Sequence, residues 1–164
     1  MFARSGEATA PCGVPTSVFD QMPRTGAAAW SNIAARLNKI PETLASYRRT
    51  LDEGIARGTT VARRQVEECA RQAGVWSGSD GQPSFFSAIG DDFSRSDIDD
   101  ATLQAGIERG VAAADGAYGD LRRYLLETYL ARAVERDGCG AERYQLSAQM
   151  FNGAVLDLDE TYVW

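Results

Sequence analysis

One long apolar pattern dominates what this chain can fold into. Between about Asp97 and Glu135, each apolar residue of the pattern follows the previous one by three or four positions. The pattern consists of Leu103, Ile107, Val111, Ala114, Tyr118, Leu121, Leu125 and Tyr129. This spacing is typical of one face of an α-helix, and here it lasts about seven turns. We therefore predict one long helix, with Asp97 or Ser96 as its N-cap.

Glycines interrupt this long helix. They are Gly106, Gly110, Gly116 and Gly119. Each costs about 1 kcal/mol relative to alanine in a helix interior. Close packing of another helix against them would explain their presence, and a kink is the alternative.

Helical spacing also recurs before the long helix. Shorter helices are predicted from Thr25 to the Ile40-Pro41 junction, over residues 41–58, and from Thr59 or Thr60 to Gly74. Since only a residue or two separates the last two, they should be antiparallel neighbours. The next segment, "SFFSAIGDDF", offers four apolar residues that could fill a core, namely Phe85, Phe86, Ile89 and Phe93.

The last part of the chain predicts one short helix and the start of another. After the break at Asp137–Gly140, "AERYQLSAQMF" aligns Tyr144, Ala148 and Phe151 on one face. Asp157 then has the position of an N-cap, with Glu160 three residues later. This helix-start signal comes just before Trp164, so we expect a helical protein that has been cut short.

The predicted fold class is all-α, a helical bundle with one long helix, forming an incomplete part of a larger helical protein. No alternating run of strand length and no fixed repeat occurs in the sequence. Residues 1–15 are predicted to be a flexible N-terminal arm, and residues 16–164 a helical domain truncated at its C-terminus.

Charge and composition exclude several classes of function. The net charge of -6 argues against a surface that follows nucleic-acid phosphates. No apolar run is long enough to span a bilayer, and the N-terminus lacks the apolar core of a secretory signal. The three cysteines, Cys12, Cys69 and Cys139, are few, distant and odd in number. They favour a reducing cytoplasm over a disulfide framework.

The chain contains no histidine. A Ser-His-Asp triad, a Cys-His pair and a His-Glu-x-x-His zinc helix are therefore impossible within these 164 residues. Chemistry would have to depend on carboxylates, Lys, Tyr, Ser or a single Cys, and no pair of acids is marked out for general acid-base catalysis.

Other candidate sites have simpler explanations. The acidic stretch "DDFSRSDIDDA" lacks the glycine and terminal glutamate of a calcium loop, so we interpret it as a solvated helix start. "GIERG" and "GSDG" lack the context of phosphate loops and are expected to be packing or turn glycines. Cys139 has no neighbour that could activate it.

Arg143 and Tyr144 are the candidate substrate-binding residues. They follow Gly140, which allows close approach, and an arginine with a tyrosine can bind a carboxylate. The alternative is that Tyr144 belongs to the core and that Arg143 faces solvent or forms an ion pair. No catalytic residue and no metal ligand is predicted in this chain.

An ordered set of segments resembles one bacterial family. The set includes "FDQMPR", "ARRQV", "AYGDLRRYLLETYLARA", "DGCGAERYQLSAQMF" and "LDLDETYVW", together with the tryptophan-to-glycine stretch of residues 30–58. From about Val18 to Trp164 the chain resembles the domain-of-unknown-function family 885, whose proteins are large and helical. The resemblance implies a zincin-like metal-dependent peptidase or carboxypeptidase with a downstream His-Glu and Pro-Gly-His motif.

The chain departs from this pattern because it carries none of those histidines. No catalytic or metal-binding residue of the family can therefore be carried over. The resemblance implies only that Gly140, Glu142, Arg143 and Tyr144 line a substrate cleft. Zinc and a peptide substrate are implied for the full-length protein, and no cofactor is predicted for this chain.

Two functions from different classes follow. The first is an N-terminal helical segment of a metal-dependent peptidase, inactive alone, whose partner is the missing C-terminal portion or a second copy. The second is a stand-alone helical module that binds a partner protein. In the first case we expect an exposed apolar patch that involves Tyr162, Val163, Trp164 and part of the long helix. The expected location is the cytoplasm, with no nucleic-acid or membrane partner.

Overall fold

The computed structural model describes residues 18–138, 140–155 and 157–163, without the side chains of Leu158 and Tyr162. Its helices are α1 (Ala27–Leu37), α2 (Ile40–Ala56), α3 (Arg63–Ser77), α4 (Phe85–Ser94), α5 (Ala101–Tyr124), α6 (Ala141–Asn152) and α7 (Leu158–Tyr162). A π-helical turn, Leu125–Tyr129, and a 3₁₀ turn, Leu130–Arg132, continue α5. Within these ranges the only β-type pairing is an isolated bridge between Ala62 and Val134. The all-α prediction is confirmed, while the predicted arm of residues 1–15 lies outside the described residues.

The long helix α5 is the centre of a helical bundle. Helices α1, α2, α3 and α4 all pack against it, because its apolar residues recur around more than one face. Helices α2 and α3 are antiparallel, as predicted. Helix α2 runs in the same direction as α5, whereas α3 begins beside Val134 and ends beside Tyr118 and so runs against α5. Each of these two helices packs more extensively on α5 than on the other, since both turn their apolar faces toward the central helix.

The larger core cluster lies between α5 and the helices α1 and α4. Trp30, Phe86, Ile107 and Tyr118 are almost completely buried in it. The Phe86 ring stacks on Tyr118 with centroids 5.5 Å apart, and Trp30 meets Phe93 edge-on at 5.1 Å. Such pairs add to the burial of apolar area. Phe86, Ile89 and Phe93 fill the core as predicted.

A smaller core cluster surrounds the π-helical turn at the end of α5. Tyr124, Leu125 and Tyr129 are buried there with Leu51 and Val66. A π turn holds more residues than an α turn, so Tyr129 faces the same cluster as Tyr124, five positions earlier. The Tyr129 hydroxyl accepts a hydrogen bond from the Val61 backbone N–H at 3.1 Å, which holds the chain that leads into α3.

Two helix ends differ from the prediction. The N-cap of α5 is Asp100, whose carboxylate accepts hydrogen bonds from the backbone N–H groups of Thr102 and Leu103 at 3.0 Å. The prediction of Asp97 or Ser96 as the cap is wrong. Helix α3 continues beyond Gly74 to Ser77, because Gly78 at φ 70° provides the left-handed C-cap.

The predicted start of α7 is confirmed. The Asp157 carboxylate accepts hydrogen bonds from the backbone N–H groups of Asp159 and Glu160, each at 3.0 Å. These bonds satisfy donors that the first turn of a helix leaves without a partner.

Cys69 takes part in a disulfide bond, and its side chain belongs to the smaller core cluster. The prediction that the cysteines stay reduced is therefore wrong for this residue. Cys12 and Cys139 lie outside the described residues. Disulfides persist mainly in oxidising compartments, so the cysteines no longer support a cytoplasmic location.

The glycines of α5 serve different purposes. A Cβ atom added to Gly110 would lie 2.7 Å from Leu37 Cβ and 3.0 Å from Asn38 Nδ2. Close packing of α1 against α5 therefore explains Gly110, as predicted. A Cβ at Gly106 would meet Ala34 only at an ordinary 3.9 Å. A Cβ at Gly116 would meet nothing within 4 Å, so the described residues do not explain that glycine.

We predict opposite effects for alanine at two glycines of α5. Gly110→Ala should lower the free energy of unfolding by about 1–3 kcal/mol, because the new methyl group forces α1 away from α5. Gly106→Ala is the matched control and should raise it by up to about 1 kcal/mol through helix propensity. Urea denaturation followed by circular dichroism measures both. Equal effects of the two substitutions would contradict the close-packing explanation.

Candidate functional site

The predicted substrate-binding pair lies in the first turn of α6. Gly140, at φ 83°, precedes this helix, and Arg143 and Tyr144 are both exposed. The side chain of Tyr144 is 55% exposed, so the alternative that it belongs to the core is wrong. Their role in binding substrate stays a prediction.

Helix α6 exposes large apolar side chains on two faces. Leu146 and Met150 are 64% and 68% exposed, and Phe151 is 84% exposed. Only Ala148 is buried on this helix. Because 100° separates successive residues, Leu146 and Met150 share one face, and Tyr144 and Phe151 share a second face about 130° away.

The exposed apolar residues lie partly where the sequence predicted them. Val163 is exposed, whereas Trp164 and the side chain of Tyr162 lie outside the described residues. The largest group of exposed apolar side chains lies on α6, which the sequence prediction did not include.

A groove of about 390 Å³ runs between α2 and α5. We call it the α2–α5 groove. It is lined by Pro41, Leu44, Ala45, Arg48, Ala112, Ala113, Gly116, Ala117, Asp120 and Leu121. The two helices run in the same direction, since Asn38 donates a hydrogen bond to the Gly106 carbonyl at one end and Arg48 reaches Tyr124 at the other.

A polar cluster closes one end of this groove. The Arg48 guanidinium lies over the Tyr124 ring, 4.5 Å from its centroid, which is a favourable cation–π geometry. The Tyr124 hydroxyl donates a hydrogen bond of 2.5 Å to Asp52. Burial and then the hydrogen bond to Asp52 raise the pKa of Tyr124 above its ordinary value, so the phenol stays protonated as the donor. Sequence reasoning missed this cluster because 72 residues separate Asp52 from Tyr124.

Acidic residues of the stretch before α5 form ion pairs and cap a helix. Asp92 forms ion pairs with Arg24 and Arg95, and Asp100 caps α5. This agrees with its interpretation as a helix start.

The residues of this chain do not fit the zinc ion that the family resemblance implies. The sequence has no histidine. In the described ranges, no group of three or more cysteines, aspartates or glutamates is close enough to hold a metal ion. Zinc prefers nitrogen and sulfur ligands in a tetrahedral arrangement, which these side chains do not supply.

The two glycine motifs are structural, as predicted. "GIERG" lies inside α5, where Gly110 packs against α1. Gly78 and Gly81 have φ values of 70° and 88° in a turn between α3 and α4. Cys139 lies outside the described residues. Across the helices that the structure describes, none is long and apolar enough to cross a membrane.

Asp115 is a partly buried carboxylate on α5. Its Oδ1 atom is inaccessible to solvent and has no hydrogen-bond partner among the described residues. Burial raises the pKa of this carboxyl group, and a hydrogen bond from Ser84 opposes the shift. The folded protein therefore binds a proton at Asp115 more tightly than the unfolded chain does.

We predict that Tyr124→Phe lowers the free energy of unfolding by about 1–2 kcal/mol, because it removes the hydrogen bond to Asp52 and keeps the ring under Arg48. Combining Tyr124→Phe with Asp52→Asn in a double-mutant cycle isolates the pairwise energy. Urea denaturation provides the measurement. Strict additivity of the two substitutions would show that the hydrogen bond does not contribute to stability.

We predict a pH-dependent gain in stability from Asp115→Asn. Because the pKa of Asp115 is raised in the folded state, its contribution is favourable at low pH and is lost as the pH rises through that value. The variant should melt at a higher temperature than the wild type at pH 7.5, and the difference should shrink toward pH 4. Asp120→Asn, an exposed residue paired with Arg123, is the control. A difference that does not change with pH would contradict the prediction.

Comparison with protein-family models identifies the family of this chain. The family model described as "Bacterial protein of unknown function (DUF885)" matches residues 6–164. No curated protein matches the chain. Since the match covers nearly all of the sequence, including every helix described above, this chain belongs to the DUF885 family of bacterial proteins.

Proposed function

We propose that this chain is the N-terminal helical segment of a metal-dependent peptidase or carboxypeptidase, and that it is inactive alone. The proposal builds on family membership and on the peptidase activity that the resemblance implies. In the complete enzyme, zinc with its histidine ligands and a general base would come from another part of the polypeptide. The residues of this chain would form one wall of the substrate cleft.

The observation that carries the proposal is the exposure of α6 on two faces. Leu146 and Met150 on one side, and Tyr144 and Phe151 on the other, are all more than half exposed. A helix that is apolar on two separate faces is typical of the interior of a larger protein, because one neighbouring surface can cover only one of them. This supports a role for the bundle as one layer of a larger helical enzyme.

We further propose that Arg143 and Tyr144 contribute to the substrate cleft of that enzyme. Both lie at the N-terminal end of α6 and are exposed. Positive charge and the backbone N–H groups at the start of a helix favour a carboxylate. A peptide with a free C-terminus or an acidic side chain is the corresponding ligand class.

A stand-alone protein-binding module is the second candidate, and the same exposed residues of α6 favour it. An amphipathic or two-faced helix can bind in the groove of a partner. The net charge of -6 supports a protein partner over nucleic acid. A cytoplasmic location is proposed in either case.

We predict that the purified chain hydrolyses no peptide when incubated with zinc and a peptide library. It has no histidine to hold the ion and no clustered set of other ligands in the described ranges. Mass spectrometry of the library before and after incubation provides the readout. A known zinc carboxypeptidase under identical conditions is the positive control.

Reproducible hydrolysis that a chelator abolishes would overturn the proposal that the chain is inactive alone. We expect no hydrolysis of the peptide library by the chain and measurable hydrolysis by the control enzyme.

A further inference from the structure

Gly116 lies on the floor of the α2–α5 groove without a packing partner. It is exposed, and an added Cβ atom would meet nothing within 4 Å. Its neighbours in the groove are also small, namely Ala45, Ala112, Ala113 and Ala117. A glycine inside a helix costs about 1 kcal/mol, and at Gly110 of the same helix that cost is offset by close contact with α1. A floor of small side chains gives a further helix the space to approach α5 closely.

Helix α6 presents the side chains that match such a floor. Glu142, Leu146 and Met150 follow one another at intervals of four residues and are all exposed. Positions i, i+4 and i+8 lie on one face of a helix. The stripe is therefore a line of one carboxylate and two long apolar side chains.

The dimensions of the two surfaces agree. Glu142 and Met150 are eight residues apart, which is about 12 Å along a helix. The stretch of α5 that lines the groove runs from Ala112 to Leu121, nine residues apart, which is about 14 Å along the helix. Leu146 and Met150 can thus lie over Gly116 and Ala113 when Glu142 is at the Arg48 end.

The charges of the two surfaces are complementary in that orientation. Arg48 is exposed at one end of the groove and forms none of the ion pairs found among the described residues, its guanidinium lying over the Tyr124 ring. Asp120, the groove's acidic residue, already pairs with Arg123 at 3.0 Å. The Arg48 guanidinium can donate hydrogen bonds to an incoming carboxylate. Glu142 supplies one, and it places α6 antiparallel to α2 and α5.

From these features we propose that α6 of one copy binds in the α2–α5 groove of a second copy, with Glu142 paired to Arg48. Reciprocal exchange covers the groove of each copy and the face of each α6 that carries Glu142, Leu146 and Met150. It closes the assembly as a two-fold dimer, the commonest form of closed oligomer. The proposal goes beyond the peptidase proposal and does not depend on it, since it concerns two surfaces that this chain presents by itself.

The test is a charge exchange between two variants, followed by analytical ultracentrifugation. The wild-type chain should sediment as a dimer, with twice the chain mass of 17.8 kDa. Arg48→Glu and Glu142→Arg should each weaken dimerisation about tenfold or more, because each places like charges together. An equimolar mixture of the two variants should recover the dimer. In the mixed dimer, residue 48 of each copy again carries the charge opposite to that of residue 142 in the other copy. Arg49→Glu, an exposed neighbour outside the groove, should leave dimerisation unchanged.

A second pair of variants tests, independently of Arg48, which face of α6 forms the dimer interface. Met150→Glu alters the stripe and should abolish the dimer, whereas Phe151→Glu, on the second exposed face of α6, should preserve it. Circular dichroism confirms that each variant is folded. A wild-type monomer at all concentrations, a mixture that fails to recover the dimer, or a dimer that depends on Phe151 and not on Met150 would each overturn the proposal.

Discussion

The close approach of α1 to α5 at Gly110 is the contact on which the rest of the bundle depends. Without a side chain at this position, Leu37 reaches the backbone of α5, and Asn38 donates a hydrogen bond across to the Gly106 carbonyl. The end of α1 is therefore fixed at one level of α5. Since α2 begins at Ile40, two residues after Asn38, its position beside α5 follows from that contact.

The course of α2 along α5 produces the chemistry of the groove. It brings Arg48 over Tyr124 and Asp52 to the Tyr124 hydroxyl. The π-helical turn that follows keeps Tyr129 in the same core cluster as Tyr124, and its hydroxyl holds the chain at Val61. Cation–π, hydrogen-bond and packing contacts thus combine at the end of α5 where the polypeptide turns toward α6.

The chain between α5 and α6 is attached to the start of α3. Arg63 pairs with Glu135 at 2.8 Å, and Arg64 pairs with Asp137. Exposed ion pairs contribute little individually, but here they accompany the bridge between Ala62 and Val134. Helix α6 follows this attachment with most of its apolar side chains uncovered. This helix and the α2–α5 groove are the two surfaces for which we propose partners.

The sequence by itself determined the helices, the core residues that repeat along α5 and the cap at Asp157, because each depends on neighbours within one or two turns. It did not select Asp100 from a run of possible caps, and it left open whether Tyr144 belongs to the core, whereas the structure shows that this side chain is exposed. Periodicity shows which residues share a face, but it cannot show what covers that face. Only the tertiary structure decided that Gly110 meets Leu37 while Gly116 meets nothing, and that Arg48, Asp52 and Tyr124 come together, since these contacts join helices far apart in the chain.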